Sequence, residues 1–119
     1  MIVRIHRFRG RTSVLRALKR GRVIRGHYFS VKYSRVLPGK PWRVAIVVSR
    51  KVHKSAVVRN RIRRRLYEQL RLRSDSLQHD LVIIVHSERT ASISTSELVE
   101  SLDSILSQIT EDTKPTPVV

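Results

Sequence analysis

The sequence of 119 residues has no cysteine, only four glycines, and a single acidic residue in its first 73 positions. Without cysteine, the chain can form neither disulfide bonds nor thiolate metal sites. No apolar run approaches the roughly 18 residues of a membrane span, and arginines interrupt the apolar residues at the N-terminus before a secretory signal can form. These absences favour a cytoplasmic protein with one domain, which is long enough to bury a core.

Positive charge is abundant and confined to one part of the chain. There are 25 Lys and Arg residues against 9 Asp and Glu residues, a formal net charge of +16. Residues 1–73 hold 23 of those bases and one acid, Glu68, whereas residues 74–119 hold two bases and eight acids. The two segments therefore carry net charges of +22 and −6. Such asymmetry within a small protein is typical of a nucleic-acid-binding surface.

A helix rich in arginine is predicted between about residues 56 and 73. Val58, Ile62, Leu66 and Leu70 recur at every fourth position, which places them on one apolar stripe. Five arginines surround that stripe: Arg59, Arg61, Arg63, Arg64 and Arg65. At about 100° per residue, Arg61, Arg64 and Arg65 fall on one flank, and we expect that flank to bind nucleic-acid phosphates with little role in folding. The simpler alternative is a solvated basic face.

The remaining pattern predicts an α/β fold with the element order α-β-β-α-β-α. A first helix is expected over residues 12–20 and a strand up to Tyr33, in which Gly26 marks a bulge or a close backbone approach. The apolar segments 44–48 and 81–85 flank the basic helix, which suggests a parallel β-α-β unit. Strands 28–33 and 44–48 could also form a hairpin. Ser94 and Glu97 form a candidate capping box for the last helix.

These elements define the expected domain organisation. Residues 1–112 form a single RNA-binding domain, of which residues 1–11 are a flexible basic arm. Residues 113–119, with their two prolines, form a frayed C-terminal tail.

Two stretches of the sequence resemble a known family. Ser49-Arg50-Lys51-Val52, followed by the string Ala-Val-Val-Arg-Asn-Arg-Ile-Arg-Arg-Arg-Leu at 56–66, is similar to the signature of the bacterial ribonuclease P protein subunit, whose Arg-Asn-Arg motif lies on a helix after a central strand. The likeness extends over residues 4–110. It implies a small α/β sandwich, in which a mixed sheet packs with helices and the β-α-β crossover is left-handed, against the usual rule.

The resemblance also implies a function. In that family a catalytic RNA, using Mg²⁺, hydrolyses the phosphodiester that joins the 5′ leader to precursor tRNA, and this gives the mature tRNA 5′ end. The protein supplies neither catalytic side chains nor a metal site; it binds the catalytic RNA and the leader. The expected partners are these two RNAs, with no membrane and no obligate protein partner.

The same resemblance assigns residues by position. Those expected to face the catalytic RNA are Arg50, Lys51, Arg59, Asn60, Arg61, Arg63, Arg64 and Arg65. Those expected to line the leader-binding cleft are Val14, Leu18, Lys32 and Arg43.

Three features depart from the family pattern. Val14 and Leu18 stand where many members have phenylalanine, and the strand near Lys32 lacks the common aromatic residue. The turn 52–55 is longer by one residue and contains no glycine. Since base stacking on aromatic side chains contributes about 1–3 kcal/mol per base, we expect the leader to be held here more by charge and aliphatic contact.

Other interpretations are less favoured. His79 and Asp80 are the only adjacent histidine–acid pair, but neighbours on a strand point to opposite faces, which is poor geometry for acid–base catalysis. Trp42 is interpreted as a packing anchor rather than a base-stacking platform. The main alternative function is a structural RNA-binding protein of the ribosomal or RNA-chaperone type. The helix has too few varied polar side chains for reading DNA base edges.

Overall fold

A computed structural model describes residues 21–36, 41–73 and 77–113, with side chains in the last helix described as far as Ile109. Its elements are strands β1 (Arg22–Arg25), β2 (Phe29–Arg35) and β3 (Val44–Val47), helix α1 (Ala56–Leu72), strand β4 (His79–Val85), a 3₁₀ turn (Glu88–Ala91) and helix α2 (Thr95–Thr113). The expected basic arm, the helix over 12–20, the cleft residues Val14 and Leu18, and positions 114–119 lie outside the described residues.

The four strands form one mixed sheet in the order β1-β2-β4-β3. β3 and β4 pair in parallel on either side of α1 in sequence, which confirms the predicted β-α-β unit. The handedness of this crossover stays a prediction. The α/β class predicted from the sequence is confirmed, with one more strand than expected in the described part of the chain.

The predicted hairpin between segments 28–33 and 44–48, which correspond to β2 and β3, is wrong. β2 pairs with β1 and β4, both in antiparallel orientation, and β3 pairs with β4 instead. The physical reason is that Leu81, Val82 and Ile83 of β4 are all nearly inaccessible to solvent, so both faces of this strand are buried. A strand of that kind belongs in the interior of a sheet, and β4 therefore separates β2 from β3.

One face of the sheet forms the core with both helices. Phe29 and Val31 of β2 and Ile83 of β4 pack with the apolar stripes of the two helices. The predicted stripe of α1 is confirmed, because Ile62, Leu66 and Leu70 have an exposed fraction of 0%. Trp42 is 7% exposed and belongs to the same core, as expected of a packing anchor. No helix in the described ranges is long and apolar enough to cross a membrane.

The opposite face, here called the second face, has a different character. The strand register places on it Arg25 of β1, Ser30 and Lys32 of β2, Ala45 and Val47 of β3, and Val82 and Ile84 of β4. Its middle is buried at Ser30 and Val82, whereas Val23 and Val47 at its margin are 43% and 36% exposed.

Gly26 follows β1 and turns the chain towards β2, so the single strand predicted up to Tyr33 is in fact two strands. Its N–H donates to the carbonyl of Phe29 over 3.0 Å. A Cβ at this position would lie 2.7 Å from Phe29 O and 2.7 Å from Ile105 Cδ1, so the expected close backbone approach is confirmed.

Replacing Gly26 by alanine should therefore destabilise the protein. The Ile105 side chain can move, but the Phe29 carbonyl is fixed by the β1–β2 turn, so the backbone must shift. We expect a loss of about 1–3 kcal/mol in the free energy of unfolding, the usual cost of overpacking. Urea unfolding followed by circular dichroism measures it, and an unchanged midpoint would show that the turn relaxes freely.

Candidate nucleic-acid interface

The arginine-rich helix α1 starts at a serine cap. Ser55 has extended backbone angles, and its hydroxyl oxygen accepts a hydrogen bond from Val58 N over 3.4 Å. The first turn of the helix contains no acidic residue. The positive end of the helix dipole thus adds to the arginine charges, and both favour a bound anion.

The turn before α1 is held by hydrogen bonds in place of a glycine. Val52 N donates to Ser49 O over 3.1 Å, and Ser55 N donates to His53 Nδ1 over 3.0 Å. The guanidinium of Arg59 reaches back to the carbonyls of His53 and Lys54, at 3.1 Å each. The glycine-free turn that departed from the family pattern is therefore fixed by His53 and by the helix that follows.

In three of the five arginines, the guanidinium group donates hydrogen bonds to backbone carbonyls of the protein itself. Besides Arg59, Arg63 donates to Val48 O over 3.3 Å and to Asn60 Oδ1 over 2.8 Å. Arg65 donates through its two terminal nitrogens to Thr90 O over 2.9 Å and to Ile93 O over 2.6 Å. All three of these arginines are half-buried. They attach α1 to the end of β3 and to the 3₁₀ turn.

Arg61 and Arg64 behave differently. Both are exposed, and neither has a hydrogen-bonding or ionic partner within the described part of the chain. The same holds for Arg50 and Lys51, which follow the end of β3. These four cations form the part of the predicted interface that is ready to accept an outside anion; we call them the free cations.

The expectation that Arg65 has little role in folding needs correction. Helical spacing alone places the three side chains on one flank. A long side chain can nevertheless bend along the surface, and Arg65 bends towards two carbonyls that would otherwise lack this partner. Arg65 therefore contributes to the fold, contrary to the expectation from the sequence. Its contact with RNA stays a prediction.

Of the residues predicted to line a leader cleft, Lys32 and Arg43 fall in the described ranges. Lys32 lies on the second face, opposite Val23 and Val82 in the register. Arg43 precedes β3 and is paired with Asp80, which accepts from its guanidinium over 3.1 Å and from its backbone N over 2.8 Å. Sequence reasoning missed Asp80 as this partner, because 37 positions separate the two residues.

His79 and Asp80 have separate partners. The His79 ring packs edge-on against the ring of Tyr33 at 5.9 Å between centroids, and partial burial, aided by the charge of Arg35, lowers the pKa of His79. Asp80 is occupied by Arg43. Within the described residues, no three histidine, aspartate or glutamate side chains are grouped so that they could hold a metal ion.

A tyrosine links the β1–β2 turn to the helix α2. The Tyr28 hydroxyl donates to the carboxylate of Glu97, and this hydrogen bond is the main reason why the pKa of Tyr28 is raised. Ser94 Oγ accepts from Glu97 N over 3.2 Å, so the serine half of the predicted capping box is present. The acidic side of α2 is thus used in part for contacts inside the protein.

The chain matches known proteins over most of its length. The family model described as ribonuclease P matches residues 3–110. A ribonuclease P protein component from Thermus thermophilus is 49% identical over 74 residues, covering 62% of this chain and 43% of that protein. One from a Synechococcus strain is 41% identical over 68 residues, covering 56% of this chain and 52% of that protein. The chain thus spans about half the length of these curated relatives.

Solved structures agree with the fold. The ribonuclease P protein of Thermotoga maritima superposes with a TM-score of 0.73 at 26% identity, covering 86% of this chain and 96% of that protein. A mutant ribonuclease P protein of Staphylococcus aureus gives a TM-score of 0.77 at 24% identity, covering 88% of each chain, and supports the fold alone. Because the family model covers 3–110 and includes the whole of α1, the chain belongs to the ribonuclease P protein family.

Proposed function

We propose that this protein is the RNA-binding subunit of ribonuclease P, which assists removal of the 5′ leader from precursor tRNA. The observation that carries the proposal is the set of free cations on and before α1, in a chain of this family. Cations without acidic partners repel each other, and an RNA phosphate backbone removes that repulsion when it binds.

The contacts suggest two functions for the arginines of α1. Arg61 and Arg64, together with Arg50 and Lys51, present donors outward to the catalytic RNA. Arg59, Arg63 and Arg65 fix the helix and keep their charge, so they strengthen the positive potential and can use their remaining N–H groups on RNA. Asn60 is exposed beside them and can both donate and accept hydrogen bonds.

The leader is proposed to cross the second face. Lys32 lies there, and Arg43 stands at one end of it beside Asp80. Val14 and Leu18 lie outside the described residues, and their place in the leader cleft is proposed from the family resemblance alone. The charge of Arg43 is largely offset by Asp80, so its main effect on RNA is through hydrogen-bond donors rather than net charge.

Hydrolysis of the phosphodiester is assigned to the RNA subunit. Mg²⁺ bound there supplies charge neutralisation and an activated water for phosphodiester cleavage. Among the described residues, no three histidine, aspartate or glutamate side chains are grouped so that they could hold such an ion. The protein's contribution is to bind and orient the two RNAs.

Cleavage of precursor tRNA at low Mg²⁺ tests the proposal. Three reactions are compared: ribonuclease P RNA alone, the protein alone, and the two combined. The RNA comes from the same source as the protein. We expect stimulation only when RNA and protein are combined, since each component supplies one part of the site. Cleavage by the protein alone would contradict the assignment of chemistry to RNA. RNA binding without stimulation would favour a structural RNA-binding protein of the ribosomal or chaperone type.

A further inference from the structure

The turn before α1 divides the free cations into two pairs. Arg50 and Lys51 precede the turn, whereas Arg61 and Arg64 follow it on the helix. The backbone of residues 52–55 therefore sets the spacing between the two pairs. A turn that is already fixed in the free protein lowers the entropic cost of binding both pairs to one RNA surface.

His53 supplies a side-chain acceptor that closes this turn. Its Nδ1 accepts a hydrogen bond over 3.0 Å from the backbone N–H of Ser55, two residues further along the chain. Asparagine and aspartate make the same contact through Oδ1 in an Asx turn. The imidazole nitrogen of His53 thus takes the place of an Asx oxygen, in a turn without glycine.

The sequence of α1 leaves this contact without a substitute. Ser55 is the N-cap residue, and in a capping box its N–H would be bound by glutamate or glutamine at the third helical position. That position is Val58, whose side chain has no acceptor. Within the described residues, the Ser55 N–H has no hydrogen-bonding partner besides His53. The start of α1 therefore depends on the imidazole.

The contact requires the neutral form of His53. A neutral imidazole has one nitrogen that accepts and one that carries a proton. Since Nδ1 accepts from Ser55, the proton lies on Nε2, which is 4.0 Å from a carboxylate oxygen of Glu88. Protonation of the ring adds a hydrogen to Nδ1, so two N–H groups then face each other and the hydrogen bond is lost.

We propose that His53 is a positioning residue of the RNA interface, whose neutral imidazole fixes the start of α1 and with it the spacing between the two pairs of free cations. Protonation releases the turn, so binding of the catalytic RNA weakens as the pH falls. This inference rests on the proposed function, in which the free cations bind that RNA.

Two effects of protonation on RNA binding have opposite signs. The charged groups around His53 are Lys51 and Lys54 in the turn, Arg59 from α1, which donates to the His53 carbonyl, and Glu88 from the 3₁₀ turn. The added charge on the ring attracts phosphate, but it lies beside the carboxylate of Glu88. Release of the turn affects all four free cations, so the loss of affinity should dominate.

The pH interval follows from the form that binds. The closed turn contains neutral His53, so the affinity for RNA is full at high pH and is lost as the ring gains its proton. Histidine changes its charge between roughly pH 5 and pH 8. We expect the dissociation constant for the catalytic RNA to rise roughly 3- to 10-fold from about pH 8 to about pH 5.5, as for the loss of one hydrogen bond.

Three variants assign that change to His53. His53→Asn keeps an acceptor for the Ser55 N–H but does not titrate, so it should bind like the wild type at about pH 8 and keep that affinity at about pH 5.5. His53→Ala should bind roughly 3- to 10-fold more weakly at both pH values. The control His27→Asn should keep the wild-type pH dependence, because His27 packs against Tyr28, away from this turn.

These measurements distinguish positioning from a general structural role. The wild type at low pH should converge on His53→Ala, and asparagine should rescue the loss, whereas destabilisation alone would produce neither result. Thermal unfolding at both pH values checks that every variant is folded. Titration of groups on the RNA is common to all four proteins, so it cancels in the comparison.

A spectroscopic measurement on the free protein tests the contact without RNA. The amide resonance of Ser55 in an NMR titration should shift as His53 gains its proton, with the same midpoint as the change in affinity. In His53→Asn this shift should be absent. A Ser55 resonance that does not respond to pH in the wild type would overturn the proposal.

The binding outcomes are equally decisive. The proposal is also overturned if wild-type affinity holds or rises as the pH falls, if His53→Asn retains the wild-type pH dependence, or if His53→Ala binds like the wild type at about pH 8. A wild-type protein that does not bind the catalytic RNA at about pH 8 overturns the proposed function instead. The Ser55 resonance then still shows whether His53 fixes the turn.

Discussion

Replacing Arg61 and Arg64 together by alanine is expected to weaken binding to the catalytic RNA by roughly 10- to 40-fold near physiological salt. The two guanidinium groups are exposed and have no partner among the described residues, so each is available for a phosphate contact. Losing two contacts should lower the salt slope by about 1.4–1.8, and that slope sets the change in affinity at a given salt concentration.

Stability should hardly change in this double variant. Neither side chain has a hydrogen bond or an ion pair within the part of the chain that the structure describes. Alanine is also the better helix former, and removing two charges relieves repulsion along α1. We expect the free energy of unfolding to stay within about 0.5 kcal/mol of the wild-type value. Filter binding over a series of salt concentrations, combined with urea unfolding, measures both quantities on the same preparation.

Arg71 provides a matched control on the same helix. Its guanidinium is exposed but paired with the carboxylate of Glu68, and this contact raises the pKa of Arg71 and lowers the pKa of Glu68. Arg71→Ala should therefore change the salt slope much less than the double variant. A change in slope for Arg71→Ala half as large as that for the double variant would mean that RNA responds only to overall charge, and that Arg61 and Arg64 have no specific place in the interface.

The regular parts of this fold could be predicted from local patterns. The stripe of α1 at every fourth position and the two apolar strands around it specify a β-α-β unit, because each pattern has a single period and a single way to become buried. The position of β4 between β2 and β3 was less accessible to prediction. It depends on which strand is buried on both faces, and that burial is set only when the whole sheet has assembled.

The interface was predictable as a charge pattern but not as a set of contacts. Sequence spacing identifies the arginines of α1 and even their flanks. It does not show which guanidinium groups meet carbonyls, since the partners of Arg65 lie 25 and 28 positions away. Ser30 and His86, whose side chains lie 3.2 Å apart, are similarly separated by 56 positions. Contacts of this range follow from the pairing of β2 with β4 and from the packing of α1 on the 3₁₀ turn.

Arg65→Ala should be the most destabilising of the arginine substitutions on α1. The two terminal nitrogens of Arg65 donate to Thr90 O and Ile93 O, which belong to residues that are 0% and 8% exposed. Hydrogen bonds to a charged group contribute about 1.5–3 kcal/mol each, and a partly buried carbonyl left without its donor adds a desolvation cost. Since water can replace part of the loss at this half-buried position, we expect a decrease of about 2–3 kcal/mol in the free energy of unfolding.

Arg64→Ala and Arg65→Lys complete the experiment. Arg64 is the neighbouring residue, exposed and without a partner in the described ranges, so its removal should cost less than about 0.5 kcal/mol. Lysine at 65 keeps the charge but has no fork to reach two carbonyls, so it should recover only part of the stability. Urea unfolding compares the stability of the three variants, with the slope of the free energy of unfolding against urea concentration held the same for all three.

If Arg65→Ala is as stable as Arg64→Ala and lowers the RNA salt slope by the same amount, Arg65 faces RNA as the family resemblance implies, and its carbonyl contacts are incidental. If stability falls while the slope holds, Arg65 acts by attaching α1 to the 3₁₀ turn, and the residues that bind RNA depend on it for their position.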